Sequence, residues 1–151
     1  MKLVVMSDSH GNDENVMKVI EANKDADYFY HLGDLCSPCF SYPKMSVIKG
    51  NNDYEDYPKK IVASFYKWNI LMIHSDRIYG FNRLEALKNL GKKENCQIVL
   101  YGHTHIPSDD TVDGIRLLNP GSLSMNRDFS DLSYLVIDIN ENFYTVTKKM
   151  L

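Results

Sequence analysis

Five short apolar runs in this chain each break off at a small polar group built from the same few residue types. Leu3–Met6 runs into Asp8-Ser9-His10, Tyr28–His31 into Gly33-Asp34, and Ser46–Lys49 into Gly50-Asn51-Asn52-Asp53. Asn69–His74 ends on His74 itself, and Gln97–Tyr101 runs into Gly102-His103-Thr104-His105. Apolar runs this short, bounded by turn residues, read as buried strands. Polar groups just beyond strand ends can converge at one edge of a sheet, where open α/β folds hold ligands. The glycines beside them permit tight turns and close backbone approach.

The intervening segments fix the architecture. Asn12 or Asp13 can N-cap a helix running to about Asn23, with Val16, Val19 and Ile20 on one face. Ile61–Tyr66 and Asn69–His74 read as a hairpin turning at Lys67-Trp68. Phe81–Leu90 has helical spacing at Leu84, Leu87 and Leu90, with Gly91 as its C-terminal stop. Further hairpins are expected around Gly114 and around Asn140-Glu141. The front half thus reads β-α-β-β and the back half is hairpin-rich. That order predicts an α/β fold of two sheets with helices outside, a layered sandwich rather than a doubly wound sheet.

Composition narrows the function classes. With 151 residues, 44% hydrophobic and 25% charged, the chain reads as one globular domain over 1–151. Lys and Arg number 17 against 20 Asp and Glu, a net charge of −3, so no dedicated nucleic-acid surface is expected. The first apolar run stops at Asp8, too early for a signal peptide, and Ile70–Ile73 is too short to span a bilayer. Three cysteines, an odd and small number, point to a reducing, cytoplasmic setting. Cys36-Ser-Pro-Cys39 is a lone C-x-x-C, predicted to form neither an obligatory disulfide nor a structural zinc site.

Of the five histidines, His10, His74, His103 and His105 all lie in the polar endings, while His31 is expected to pack or hydrogen-bond at its strand end. Together with Asp8, Asp34 and Asn51 they make four imidazoles, two carboxylates and one amide oxygen, with no thiolate. Such a set suits Mn, Fe, Zn or Ni and suits Ca poorly. Seven donors are too many for one catalytic ion with an open position and about right for two.

Asp8-x-His10, Gly33-Asp34, Gly50-Asn51-x-Asp53, His74 and Gly102-His103-Thr104-His105, in that order, resemble the calcineurin-like metallophosphoesterases. Their compactness, with Asn119-Pro120-Gly121-Ser122, is similar to the small YfcE-like phosphodiesterases. The resemblance runs from Leu3 to about Ser122, with the final hairpin expected in the family's second sheet. It implies a four-layer α/β/β/α sandwich, two mixed β-sheets flanked by helices, around a binuclear centre. Asp8, His10 and His105 would hold one ion, Asn51, His74 and His103 the other, and Asp34 would bridge both. Two divalent transition ions, manganese foremost with Ni, Fe or Zn as alternatives, would then drive hydrolysis of small phosphate esters through a bridging hydroxide. Asp34, Asn51, Asn52 and His103 are the residues the resemblance assigns to catalysis.

Two positions depart from the wider family. Many members carry His after the Gly-Asn pair, where it can protonate the leaving oxygen; here Asn52 stands there, and an amide is no proton source near neutral pH. Ser37 replaces an aspartate often found three residues after the bridging one. The expected partner is a small phosphate-ester substrate, with no membrane and with homo-oligomerisation left open. Two rival readings share the fold: a protein-binding scaffold similar to the retromer scaffold subunit, and a nuclease.

Overall fold

A computed structural model describes residues 1–151. The elements in chain order are β1 (Lys2–Met6), α1 (Asp13–Ala22), β2 (Tyr28–His31), β3 (Met45–Val47), β4 (Lys60–Phe65) and β5 (Trp68–Ile73). They continue with α2 (Arg83–Lys93), β6 (Ile98–Tyr101), β7 (Ser108–Val112), β8 (Ile115–Asn119), β9 (Ser133–Ile139) and β10 (Tyr144–Met150). One sheet has the order β10-β9-β1-β2-β3 and the other β4-β5-β6-β8-β7. Both are mixed: β1, β2 and β3 run parallel in the first, and β5, β6 and β8 in the second.

Strand periodicity separates three apolar clusters and so creates four layers. Leu3 and Val5 of β1 face the other sheet, meeting Ile70 and Met72 of β5, Ile98 and Leu100 of β6, and Leu118 of β8. The alternate residues Val4 and Met6 turn outward onto Val16, Val19 and Ile20 of α1. On the far side Leu71, Val99 and Leu117 turn outward onto Leu87 of α2, with Leu84 and Leu90 packed against them. The result is the α/β/β/α sandwich expected from the sequence. No helix is long and apolar enough to cross a membrane.

Helix α1 begins where its cap predicts: the Asn12 side chain accepts from Asn15 N. Elsewhere the boundaries move for identifiable reasons. The β4–β5 turn falls on Tyr66-Lys67, one residue earlier than expected, with Tyr66 at φ 55° and Phe65 paired to Trp68. Trp68 is thereby kept in the strand, where it packs edge-on against Tyr144. Strand β3 starts and ends earlier than Ser46–Lys49, because Lys49 N leaves the ladder to donate to Pro58 O. The final hairpin corrects a larger expectation: it completes the first sheet, not the second. Strand β9 pairs antiparallel with β1, Leu3 opposite Ile137. Leu135 and Ile137 enter the inter-sheet core while Tyr134 and Val136 face the α1 side, which suits a strand covered on both faces.

Gly91 is also not a stop. Helix α2 continues through Lys93, and Gly91 is buried within it. A Cβ there would lie 2.9 Å from Val99 Cγ2 and 3.0 Å from Ile115 Cγ2, both on β-branched side chains with little freedom to yield. The glycine lets the helix approach the sheet. Gly91→Ala gains about 1 kcal/mol of helix propensity. Overpacking costs about 1–3 kcal/mol, so we expect a net loss of stability of about 1 kcal/mol, read by urea denaturation. An equal or higher unfolding midpoint would refute the contact role.

Candidate metal centre

The parallel strands β1, β2, β3, β5, β6 and β8 all end at one edge, and the loops leaving them carry every polar ending named above. Parallel pairing continues past the strands: Leu32 N donates to Met6 O, Asp8 N to Gly33 O, and His10 N to Asp34 O. The Asp8 and Asp34 loops are thus held side by side. Gly33, at φ 106°, brings its loop so close that a Cβ would lie 2.5 Å from His74 Nδ1. Asp8, His10, Asp34, His103 and His105 all have positive φ, between 46° and 71°, an uncommon state for residues bearing a Cβ. Such conformations persist only where surrounding contacts determine them.

Asp8, His10 and His105 form one group of donors, and Asp8, Asp34 and His74 another. His10 Nε2 and His105 Nε2 face each other at 3.1 Å. Asn51 Oδ1 lies 3.1 Å from both His74 Nε2 and His103 Nδ1. Asp34 Oδ2 sits between the sets, 3.6 Å from His10 Nε2 and 3.5 Å from His74 Nε2. All seven donors read from the sequence therefore come together at one site.

The donor set fits divalent cations. His74 Nδ1 lies 2.7 Å from Leu32 O, and His105 Nδ1 lies 3.0 Å from Met125 O. A carbonyl can only accept, so each ring carries a proton on Nδ1 and turns Nε2 inward. Asp8 Oδ1 is fully buried and accepts no hydrogen bond, although Oδ2 accepts from Ser7 Oγ and His103 N. A buried carboxylate oxygen facing only ring nitrogens is costly unless a proton or a cation completes it, and the set could accept either. Burial raises the Asp8 carboxyl, but His105, His74 and Ser7 outweigh it and leave it below its ordinary value. Burial likewise opposes ionisation of Asp34, and His74 and the two Asn52 donors overcome it. Both carboxylates are ionised at neutral pH.

Asn52 has a specific task. Its backbone N and its Nδ2 each donate at 2.8 Å, to Asp34 Oδ1 and Oδ2 respectively. The residue standing where an acid is common thus orients the carboxylate. Several supporting residues were not assigned roles from sequence. Asp53 accepts from Asp34 N and Gly50 N through Oδ2 and from Cys36 N through Oδ1. Asp53 N donates to Gly50 O across a turn while the Asp53 side chain reaches back to Gly50 N, and no local sequence signal marks the bonds to Asp34 N and Cys36 N. Ser122 and Ser124 donate to Asp8 O, and Asn119 donates to Gly102 O and Thr104 Oγ1. Arg83 holds the loop after His74 through Ser75 O and Oγ.

His31 is fully buried and hydrogen-bonds Ser9 Oγ, with burial lowering its pKa to about 4, so it stays neutral and structural. Cys36 and Cys39 are free thiols, Cys39 exposed. Cys36 Sγ lies 3.9 Å from His10 Nδ1, and burial plus Asp34, Asp53 and Asp8 push its pKa up to about 11. Ser37, at the position of the missing aspartate, donates to Asp13 instead.

The sequence matches the calcineurin-like phosphoesterase superfamily domain over residues 1–142. A probable metallophosphoesterase of Methanocaldococcus jannaschii is 32% identical over 135 residues, 84% of this chain and 70% of that protein. The phosphodiesterase YfcE of Escherichia coli is 26% identical over 161 aligned positions, 91% of this chain and 88% of that one. A predicted phosphoesterase from Streptococcus pneumoniae superposes with TM-score 0.84 at 30% identity, covering 99% of this chain and 88% of that chain. Vps29 from Entamoeba histolytica, solved with zinc, shares the fold with TM-score 0.81 at 21% identity, covering 98% of this chain and 91% of that one. Ordered motifs, a four-layer sandwich and a domain match over nearly the whole chain agree: the protein belongs to the calcineurin-like phosphoesterase superfamily.

Proposed function

We propose that this chain hydrolyses small phosphate esters, phosphodiesters foremost, at a centre holding two divalent transition ions, manganese foremost. The position of Asp34 Oδ2 between His10 Nε2 and His74 Nε2 carries this reading, because one carboxylate then serves both donor groups. Asp8, His10 and His105 would hold one ion, Asn51, His74 and His103 the other, and Asp34 both. When bound, such ions supply Lewis acidity toward phosphoryl oxygens and a nucleophile derived from water at neutral pH.

The chain's residues set up that chemistry. Asp8 and Asp34 contribute two negative charges, fewer than two divalent ions carry, so a phosphoryl group is still attracted. Asn51 adds an oxygen donor without adding charge. His103, half-buried, has its pKa lowered by burial, His74 and Arg83 and stays a neutral donor facing Asn51. Asn52 keeps Asp34 in register. A nuclease would need a cationic surface that a net charge of −3 does not supply. Three free cysteines support action in a reducing cytoplasm.

Two experiments test the reading. After manganese loading, elemental analysis is expected to find close to two ions per chain and turnover of bis(p-nitrophenyl) phosphate. Asp34→Asn should lower both metal content and rate, the rate by about 10²-fold or more. Unchanged metal and rate in that variant would remove Asp34 from the bridging position.

The second concerns the leaving group. With an amide at position 52, the departing oxygen has no positioned proton donor there, and a general acid typically contributes about 10²–10⁴-fold. We expect a rate that falls steeply with leaving-group pKa, alkyl esters turning over slower than nitrophenyl esters by at least that factor. A shallow series would mean that another residue supplies the proton.

A further inference from the structure

A cleft of about 540 Å³ opens directly beside the donor site, with Asn51 and His74 among its lining residues. That volume lies in the range of small-molecule sites. Its cations are Lys49, Lys59 and Arg77, and Lys49 N donates to Pro58 O, fastening the two lysine-bearing segments together. None of the three is engaged by an acidic side chain. Other cations on the surface are divided: Lys60 pairs with Glu94, Lys88 with Glu85 and Asp113, and Arg116 with Asp109, whereas Lys67, Lys93 and Arg127 have no acidic partner, so what distinguishes the three cleft cations is that they share one concave site. Two carboxylates, Asp53 and Asp76, oppose these three cations; Asp53 is turned to the backbone amides of Asp34, Gly50 and Cys36 and keeps its charge, so the lining carries a net excess of one positive charge.

This local positive excess stands out on a chain whose net charge is −3. A net positive excess beside low-dielectric walls draws ligands of the opposite sign. Here the wall is supplied by Ile73, Ile78 and Leu90. An apolar stretch flanked by unpaired cations, next to a phosphoryl-handling centre, has a matching ligand chemistry: a second anion joined to the reacting phosphate by an organic spacer.

Resting on the phosphoesterase reading above, we propose that this cleft binds a second phosphate of the substrate, so that the preferred substrate is a small phosphodiester carrying a further phosphate. The spacer packs on Ile73, Ile78 and Leu90, and the terminal phosphate meets Lys49, Lys59 and Arg77.

The test compares two esters that differ in one group, thymidine 5′-(p-nitrophenyl phosphate) with and without a 3′-phosphate, on the manganese-loaded full chain. At low salt the 3′-phosphate should raise kcat/KM about tenfold, the scale of several partly exposed charge contacts acting together. Added salt should shrink that ratio. Combined Lys49→Ala, Lys59→Ala and Arg77→Ala should bring it to about one, whereas Lys93→Ala, outside the cleft, should preserve it. Calorimetric binding of thymidine 3′,5′-bisphosphate against thymidine 5′-monophosphate gives a second readout that needs no turnover. If neither ester is hydrolysed but the bisphosphate binds tighter and the triple variant abolishes that difference, the phosphoesterase reading falls and the anion subsite stands. If both esters turn over with equal kcat/KM, or the triple variant keeps the preference, the subsite is overturned and the phosphoesterase reading stands.

Discussion

The Asp53 carboxylate accepts from Asp34 N at 2.8 Å, Gly50 N at 2.7 Å and Cys36 N at 2.9 Å, joining the loops that leave β2 and β3. Those loops carry Asp34, Asn51 and Asn52, so this one side chain sets the spacing on which the donor site depends. The magnitudes show why it suffices. Asp34 and Cys36 both sit at positive φ, near 55° and 54°. Each such residue costs about 1–2 kcal/mol. Hydrogen bonds to a charged acceptor contribute about 1.5–3 kcal/mol each, and three of them outweigh two strained residues. Gly50 completes the arrangement, since a Cβ there would lie 2.2 Å from Asp34 N. The loops can close to this distance only because position 50 has no side chain.

The same logic recurs around Asp8, with different donors. Ser122 and Ser124 reach its carbonyl while Ser7 and His103 N take one carboxylate oxygen, leaving the other bare toward His105. Backbone carbonyls of Leu32 and Met125 fix the rings of His74 and His105. In each case the apolar strand anchors the loop, a backbone or hydroxyl contact orients the side chain, and the ligating atom is left free. Two buried carboxylate oxygens lack a hydrogen-bond partner, Asp8 Oδ1 and Asp13 Oδ1, and of these only the Asp8 oxygen lies in a group of metal-capable donors, with His10 and His105.

The sequence made the strands and the donors legible because both are local signals. An apolar run of four or five residues ending at Asp, His or Gly needs no knowledge of its neighbours. The Asn12 cap is equally local, and α1 begins where it says. Gly91 misleads for the opposite reason. A glycine after Leu90 looks like a helix stop, and only the distance to Val99 and Ile115 shows it to be a contact residue inside α2. Placement of β9 beside β1 is likewise a long-range choice between two sheets, which alternation alone leaves undecided. Asp53 and Ser122 lay within motifs that were read, yet their roles lie in hydrogen bonds to backbone groups far along the chain, and no spacing encodes those.

Fold likeness ranks proteins by their layers, whereas chemistry resides in the loops at the strand ends. A vacuolar protein sorting subunit superposes on this chain almost as well as a predicted phosphoesterase does, so the sandwich by itself does not select between a surface for partners and a catalytic centre. What selects is the state of the loop side chains. An ionised aspartate with a bare buried oxygen and five donors held at positive φ serve the loop site and not the packing of the layers. Those features cost stability, and they are compensated by caps and clamps spread over six loop-bearing strand ends. Retaining that cost is reasonable only where the donor atoms themselves are used, so the functional argument rests on the loops and not on the layers.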